Sequence, residues 1–179
     1  RLAFGADIKA AAGKSKVIFI AVGTPSMPNG EADLCDIENV ARQVAFSLDS
    51  SYRLIVEKST VPVETGEWVS HTLKINARNK ASFDVASNPE FLKEGSAISD
   101  FMRPDRIVLG VDSRRAKEVL LELYKPLKAP IIVTDIKSAE LIKHASNSFL
   151  AAKSSFITAI ANICDRTGAG MNISTDHGA

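Results

Sequence analysis

Phe83-Asp84-Val85-Ala86-Ser87-Asn88-Pro89-Glu90-Phe91-Leu92-Lys93-Glu94-Gly95 is the stretch on which the reading of this chain turns. Its first four residues read as a strand, centred on Asp84 to Ala86 and ending at Ser87. Asn88-Pro89 then breaks the chain, because the proline ring disfavours helix at the residue before it and fixes its own φ. Glu90 and Glu94 follow, four residues apart and neighbours if the segment turns helically. A strand end followed by a loop with two acids is where open α/β sheets place their ligands. The acids alone also fit an ordinary surface loop.

Working outward, strand and helix patterns alternate on both sides. Upstream, Val17 to Val22 is a continuous β-rich run, as expected of a strand buried on both faces of a parallel sheet. It gives way to Gly23-Thr24-Pro25 and a polar loop. Apolar residues at Ile37, Val40, Ala41, Val44, Ala45 and Leu48 then mark a helix over Asp36 to Leu48, capped by Asp33 or Asp36. Leu54 to Val56 is a second strand that carries Glu57-Lys58-Ser59-Thr60 at its end. Pro62 suits a first helical turn, and a helix runs on through Trp68 and Leu73. Downstream, Ile107 to Val111 and Pro130 to Val133 read as strands around a helix from Arg114 to Tyr124. A short helical turn near Ile8 opens the chain, closed by Gly13. The alternation predicts an α/β fold: a partial Rossmann-like, largely parallel sheet with helices on both faces.

From Ile136 to about Thr167 there is neither Pro nor Gly, which predicts one long helix. Its apolar residues, among them Phe149, Phe156, Ile157 and Ile160, exceed what one small domain can cover. A second domain or a second copy is expected over them. Lys143 and Asn147 lie one turn apart on this helix and share a face. Beside a loop with two glutamates they suit a polar or anionic ligand. Spacing alone also fits a solvated lysine and an incidental amide.

Composition narrows the function classes. At 179 residues and 45% apolar content the chain can bury one substantial core. A net charge of +1 with mixed signs gives no basic stripe for nucleic acid. No apolar run is long enough to span a bilayer, and no signal-peptide pattern opens the chain. Cys35 and Cys164 stand far apart without His or C-x-x-C company, which argues against a metal site or a disulfide framework and suits a reducing cytoplasm.

Taken in order, Gly23-Thr24-Pro25, Ala32-Asp33-Leu34, Glu57-Lys58-Ser59-Thr60-Val61-Pro62-Val63, Ser87 to Gly95, Pro104-Asp105-Arg106-Ile107-Val108, and Lys143 with Asn147 resemble the UDP-glucose/GDP-mannose dehydrogenase family. Within it they are most similar to the branch that oxidises UDP-glucose to UDP-glucuronate. The resemblance covers residues from about Phe4 to Ala169. It implies two successive NAD-dependent oxidations at the sugar C6, with the aldehyde held by a cysteine as a thiohemiacetal, oxidised to a thioester and hydrolysed. Carried over, it makes Thr60, Glu90, Lys143 and Asn147 the catalytic set. Thr60 would position water or the reacting hydroxyl, and Glu90 would be the general base for the thioester step. Lys143, assisted by Asn147, would stabilise oxyanionic intermediates. Gly23, Thr24, Pro25, Ser59, Thr60 and Glu94 would lie against NAD. Glu90, the backbone of Phe91, Leu92 and Lys93, and Glu94, Lys143 and Asn147 would hold the UDP-sugar. The family often has glycine where Glu64 stands and arginine where Lys93 stands.

Family members begin with a G-x-G-x-x-G turn and carry, after the long helix, a second α/β domain with the nucleophilic cysteine. Neither is found among these residues, and Cys164 reads as a core residue. The resemblance therefore implies a middle section: the C-terminal half of a dinucleotide-binding domain over 1–135, a long dimer-forming helix over 136–170 and a tail over 171–179. Such a piece is expected to be inactive alone and homodimeric through its helix. Two other readings stay open at this point. One is a Rossmann dehydrogenase of the 6-phosphogluconate or hydroxyacid type, and the other is a non-catalytic association fragment.

Overall fold

The structure, a computed structural model, describes residues 2–78, 81–93 and 95–170. Two compact units divide the chain, Arg1–Lys143 and His144–Ala179. The first contains α1 (Ile8–Lys14), β1 (Val17–Ile20), α2 (Cys35–Ala45), β2 (Tyr52–Glu57), α3 (Thr65–Asn76), β3 (Ser82–Ser87), α4 (Ala97–Met102), β4 (Ile107–Val111), α5 (Arg114–Tyr124), β5 (Ile131–Thr134) and the start of α6 (Ile136–Thr167).

The five strands form one sheet in the order β1-β2-β3-β4-β5. Three of its four pairings are parallel. The exception is β3 with β4, joined antiparallel through Ala86 with Val111 and Ser87 with Gly110. The expected α/β fold, largely parallel with flanking helices, is the one observed. Strand periodicity sends alternate residues to opposite faces. Ile55 and Val85 pack with Ile37, Val44, Val69 and Leu73 of α2 and α3. Leu54, Val56 and Ala86 pack with Leu109, Ala116 and Leu120 on the α5 side. Each fully buried Val, Leu or Ile among these contributes roughly 1.5–3 kcal/mol.

Side chains set several element ends. The Asp7 carboxylate accepts from the Ala10 N–H, and the Ser113 hydroxyl from the Ala116 N–H, capping α1 and α5. Asp135 does the same for α6 through the Ser138 N–H at 2.8 Å. At α2 the Asp33 carboxylate accepts from the Cys35 N–H, while Leu34 occupies the cap position. The helix then stops at Ala45, and Leu48 is buried just beyond it.

Four other expectations need correction. β1 ends at Ile20 instead of Val22, and Phe19 is 39% exposed, so among the described residues it is not covered on both faces. Gly13 lies inside α1, which closes at Lys14. Pro62 precedes α3 by a turn, its carbonyl accepting from the Thr65 N–H and hydroxyl. Residues 88–93 are not helical, the expected helical pairing of Glu90 with Glu94 falls on a residue outside those described, and α4 was not legible in the sequence.

Two glycines let α6 close on β4 and α3. A Cβ on Gly110 would lie 2.6 Å from the Ala139 Cβ and 2.9 Å from the Asp135 carbonyl oxygen. A Cβ on Gly66 would lie 2.5 Å from the Ile136 Cγ2. The second unit holds the remainder of α6, a helix of 32 residues and about 48 Å in all. There Phe149, Leu150, Phe156 and Ile163 are exposed, and Cys164 is half-exposed where a core position was expected. The tail expected over 171–179 lies outside the described residues.

Candidate functional site

The end of β3 is tied down by one residue. Asn88 is buried, and its backbone N–H donates to the Glu57 carbonyl at 2.8 Å. The antiparallel approach of β4 lets the Asn88 side chain donate to the Val108 carbonyl at 2.8 Å. Its Oδ1 accepts from the Tyr124 hydroxyl and from the Lys58 ammonium at 3.3 Å, and its carbonyl accepts from Lys58 at 3.0 Å. Lys58 follows β2 and Tyr124 ends α5, so three elements fix the turn that presents Pro89 and Glu90.

Glu90 meets α6 at its eighth residue. Lys143, 6% exposed, donates to Glu90 Oε1 at 3.0 Å, and the Leu92 N–H donates to Oε2 at 2.5 Å. Burial alone would raise the Glu90 pKa, but the Leu92 amide and Lys143 outweigh it and hold the carboxylate below its usual range. Burial pushes the Lys58 ammonium down to about 8; Glu90 opposes that push and Lys143 adds to it. The Phe91 ring has two cations over it, with Arg106 Cζ 4.7 Å and Lys143 Nζ 5.4 Å from its centre. A cleft of about 190 Å³ opens here, lined by Lys58, Glu90, Phe91, Arg103, Arg106 and Tyr124 among others.

A second, uncharged cluster lies at the ends of β1 and β2. The Thr24 hydroxyl donates to the Thr60 carbonyl at 2.8 Å, and the Ser59 hydroxyl to the Val22 carbonyl at 2.8 Å. Gly23 between them is open, with no atom within 4 Å of where a Cβ would stand, and Pro25 is exposed. With their protons committed, the Thr24 and Ser59 oxygens present lone pairs. Such acceptors suit ribose hydroxyls and a carboxamide, and this cluster offers no cation to a pyrophosphate. In chemistry it fits the nucleoside end of a dinucleotide.

Glu57, ending β2, is buried. Oε1 accepts from the Ser59 N–H at 2.9 Å, while Oε2 is buried without a partner. Burial raises its pKa to about 7, and the Glu140 charge adds to the push.

The structure thus brings Glu90 and Lys143 together, and groups Gly23, Thr24, Ser59 and Thr60. Phe91 and Leu92 line the cleft, but the Leu92 and Lys93 amides are already bonded, the latter to Asp100 Oδ2 at 2.9 Å. Glu94 lies outside the described residues. Asn147 belongs to the second unit and is exposed. Cys35 is exposed, its thiol pushed up by the Asp33 carboxylate. Among the described residues no group of three acids, His or Cys could hold a metal, and no helix is long and apolar enough to cross a membrane. Lys58, Asn88, Tyr124 and Arg106 had not been assigned roles from sequence. Lys58 could have been found as a charge directly after a buried strand, whereas nothing local links Tyr124 to Asn88.

Comparison with known proteins sets this geometry in context. The model for the NAD binding domain of the UDP-glucose/GDP-mannose dehydrogenase family matches residues 1–128, and that for the family's central domain matches residues 137–175. UDP-glucose 6-dehydrogenase TuaD of Bacillus subtilis is 49% identical over 172 residues, covering 96% of this chain and 37% of that protein. A UDP-glucose dehydrogenase from the hyperthermophilic archaeon Pyrobaculum islandicum superposes with a TM-score of 0.90 at 44% identity, covering 94% of this chain and 39% of that one. GDP-mannose dehydrogenase from Pseudomonas aeruginosa, solved as a ternary complex, gives 0.87 at 38% identity over 92% of this chain and 39% of that one. The chain spans less than half the length of these relatives.

Proposed function

Because this chain belongs to the UDP-glucose/GDP-mannose dehydrogenase family, we propose that it forms part of an NAD-dependent nucleotide-sugar 6-dehydrogenase that converts UDP-glucose to UDP-glucuronate in two successive oxidations. The observation that carries this reading is the Glu90–Lys143 pair at the end of β3, a carboxylate held ionised by the Leu92 amide and a buried ammonium beside a cleft. UDP-glucose is favoured over GDP-mannose by the higher identity of relatives named for it, 49% against 38%.

NAD, when bound, supplies the hydride acceptor for each oxidation. Thr24 and Ser59 present acceptors to its nucleoside end, with Gly23 and Pro25 forming the open backbone there. Lys143 can turn from Glu90 Oε1 to an oxygen bound to C6 as negative charge grows on it. A buried cation already beside the reacting carbon stabilises that charge as it forms. Thr60 orients water or the reacting hydroxyl, and Asn147 assists Lys143. In the hydrolytic step Glu90 takes the proton of the attacking water, a role open to it because its carboxylate is held ionised. Neither Cys35 nor Cys164 is given the role of the thiol, so these 179 residues alone are expected to show no turnover. The reading includes a division into a cofactor-domain portion over 1–135 and a helix over 136–170 that pairs with a second copy, in an enzyme of the cytoplasm.

The test is to assay the full-length protein carrying these segments with NAD and UDP-glucose, GDP-mannose or a hydroxy acid. Two equivalents of NADH per UDP-glucose are expected. NADH from GDP-mannose alone would overturn the substrate, and NADH from hydroxy acids alone would overturn the reaction class.

A further inference from the structure

We propose that Glu140 is a positioning residue for the Glu90–Lys143 pair: its buried carboxylate fastens the start of α6 to the start of α3 and so sets where Lys143 stands relative to the loop bearing Thr60. The inference rests on the roles given above to Lys143 and Thr60. Glu140 lies one turn before Lys143 on the same side of α6 and is 2% exposed. Its Oε2 accepts from the Glu64 N–H at 2.8 Å and its Oε1 from the Gly66 N–H at 2.7 Å. Amides at the beginning of a helix have no intrahelical partner, and the helix dipole favours a negative charge there. Bonds to both oxygens fix the rotation of the carboxylate as well as its distance.

The surroundings leave little play. The close contact of Gly66 with Ile136 also brings the site of a Gly66 Cβ to 3.2 Å from Glu140 Oε1, so glycine is what admits the carboxylate. Upstream, Thr65 bonds the Pro62 carbonyl through both its N–H and its hydroxyl, and the Thr60 carbonyl accepts from Thr24. A line of short contacts therefore runs from the Thr60 loop through Glu64, Gly66 and Glu140 to Lys143. Lys137, one turn earlier, also reaches Glu64 and Glu67 at 3.2 Å each, but those pairs are exposed and worth little. Because reacting groups lose much of their effect when displaced by about an ångström, a group that sets this spacing is visible in the rate.

Glu140→Gln in the full-length protein tests this, since its NH2 would face a donor amide. Turnover should fall roughly tenfold or more while KM for the sugar nucleotide changes by less than about threefold. Hydrogen exchange of the Gly66 amide should accelerate by about tenfold or more. Glu140→Asp should recover part of both, and Lys137→Met should alter neither. A folded Glu140→Gln protein with wild-type kcat would overturn the proposal, as would a loss of activity accounted for entirely by unfolded protein. An equal loss in Lys137→Met would overturn the assignment to Glu140. If the wild type oxidises no nucleotide sugar, the enzyme reading fails, while unchanged exchange at Gly66 would separately show that Glu140 does not hold α3.

Discussion

One helix, α6, contains two regions that behave differently. Over its first eight residues it buries Ile136, Ala139, Glu140 and Lys143, and each of the two charged groups has a bonded partner across a tight contact. Over the remainder, Phe149, Leu150, Phe156 and Ile163 are 63%, 59%, 64% and 56% exposed. Helix-forming tendency does not distinguish the regions. In the first, polar groups are inside because specific partners offset their desolvation. In the second, large apolar groups stand in the open, and the proposed pairing with a second copy would cover them. A chemical role is read from the first, and association from the second.

The largest expected effect comes from emptying the buried end. Lys143→Ala in the full-length protein should reduce kcat by roughly 10²–10³-fold, with a much smaller change in KM, because the charge matters most as the oxyanion forms. Steady-state kinetics with UDP-glucose check this, and a matched rise in KM with kcat unchanged would assign Lys143 to binding alone. At the exposed end, Phe156→Asp should weaken self-association by roughly 30–100-fold, the equivalent of about 2–3 kcal/mol of lost burial. Sedimentation at tens of micromolar decides it: a wild type that is already a monomer would remove the dimer reading.

A pH-dependent difference should come from the carboxyl that ends β2. Glu57 has a pKa of about 7 in the fold against 4.5 in its ordinary state. Between those values the native state holds a proton that the unfolded chain releases, so stability falls as pH rises through the window and the full cost is present above it. Glu57→Gln keeps an acceptor for the Ser59 amide and removes the titration. It should be more stable than wild type by roughly 3 kcal/mol at pH 8 and equal to it near pH 4. Denaturant melts at the two pH values measure this, and parallel curves would exclude a buried titrating Glu57. The smallest effect concerns Glu64, whose φ of 80° lies in the left-handed region. Glu64→Gly should be neutral to about 1 kcal/mol stabilising, because the strain outweighs an exposed pair with Lys137. A loss above about 1 kcal/mol would show that the Lys137 pair matters more than its exposure implies.

That last residue also illustrates what the sequence showed. The family resemblance marked Glu64 as a place where glycine is usual, but the reason, a positive φ at the entry to α3, needed the backbone. Periodicity located α5 and α6 to the residue, because long amphipathic runs and missing breakers are local signals. It did not reveal the reversal of β4, since an antiparallel pairing leaves the same apolar run as a parallel one. The pairing of Glu90 with Lys143 was foreshadowed by motif and not by spacing. Lys58, Asn88, Tyr124 and Glu140 form contacts between residues 30 to 76 positions apart, a kind of information no local pattern carries.

The order of the sheet has a consequence for how the chain reaches this state. Every strand neighbours its predecessor in sequence, from β1 through β5. Among these five strands, each can therefore dock on the one before it, and none must be inserted between two later ones. The parallel pairings nevertheless join residues 24 to 37 positions apart, so each docking closes a long loop before its contacts form, which slows assembly and leaves the growing edge open to another molecule for longer.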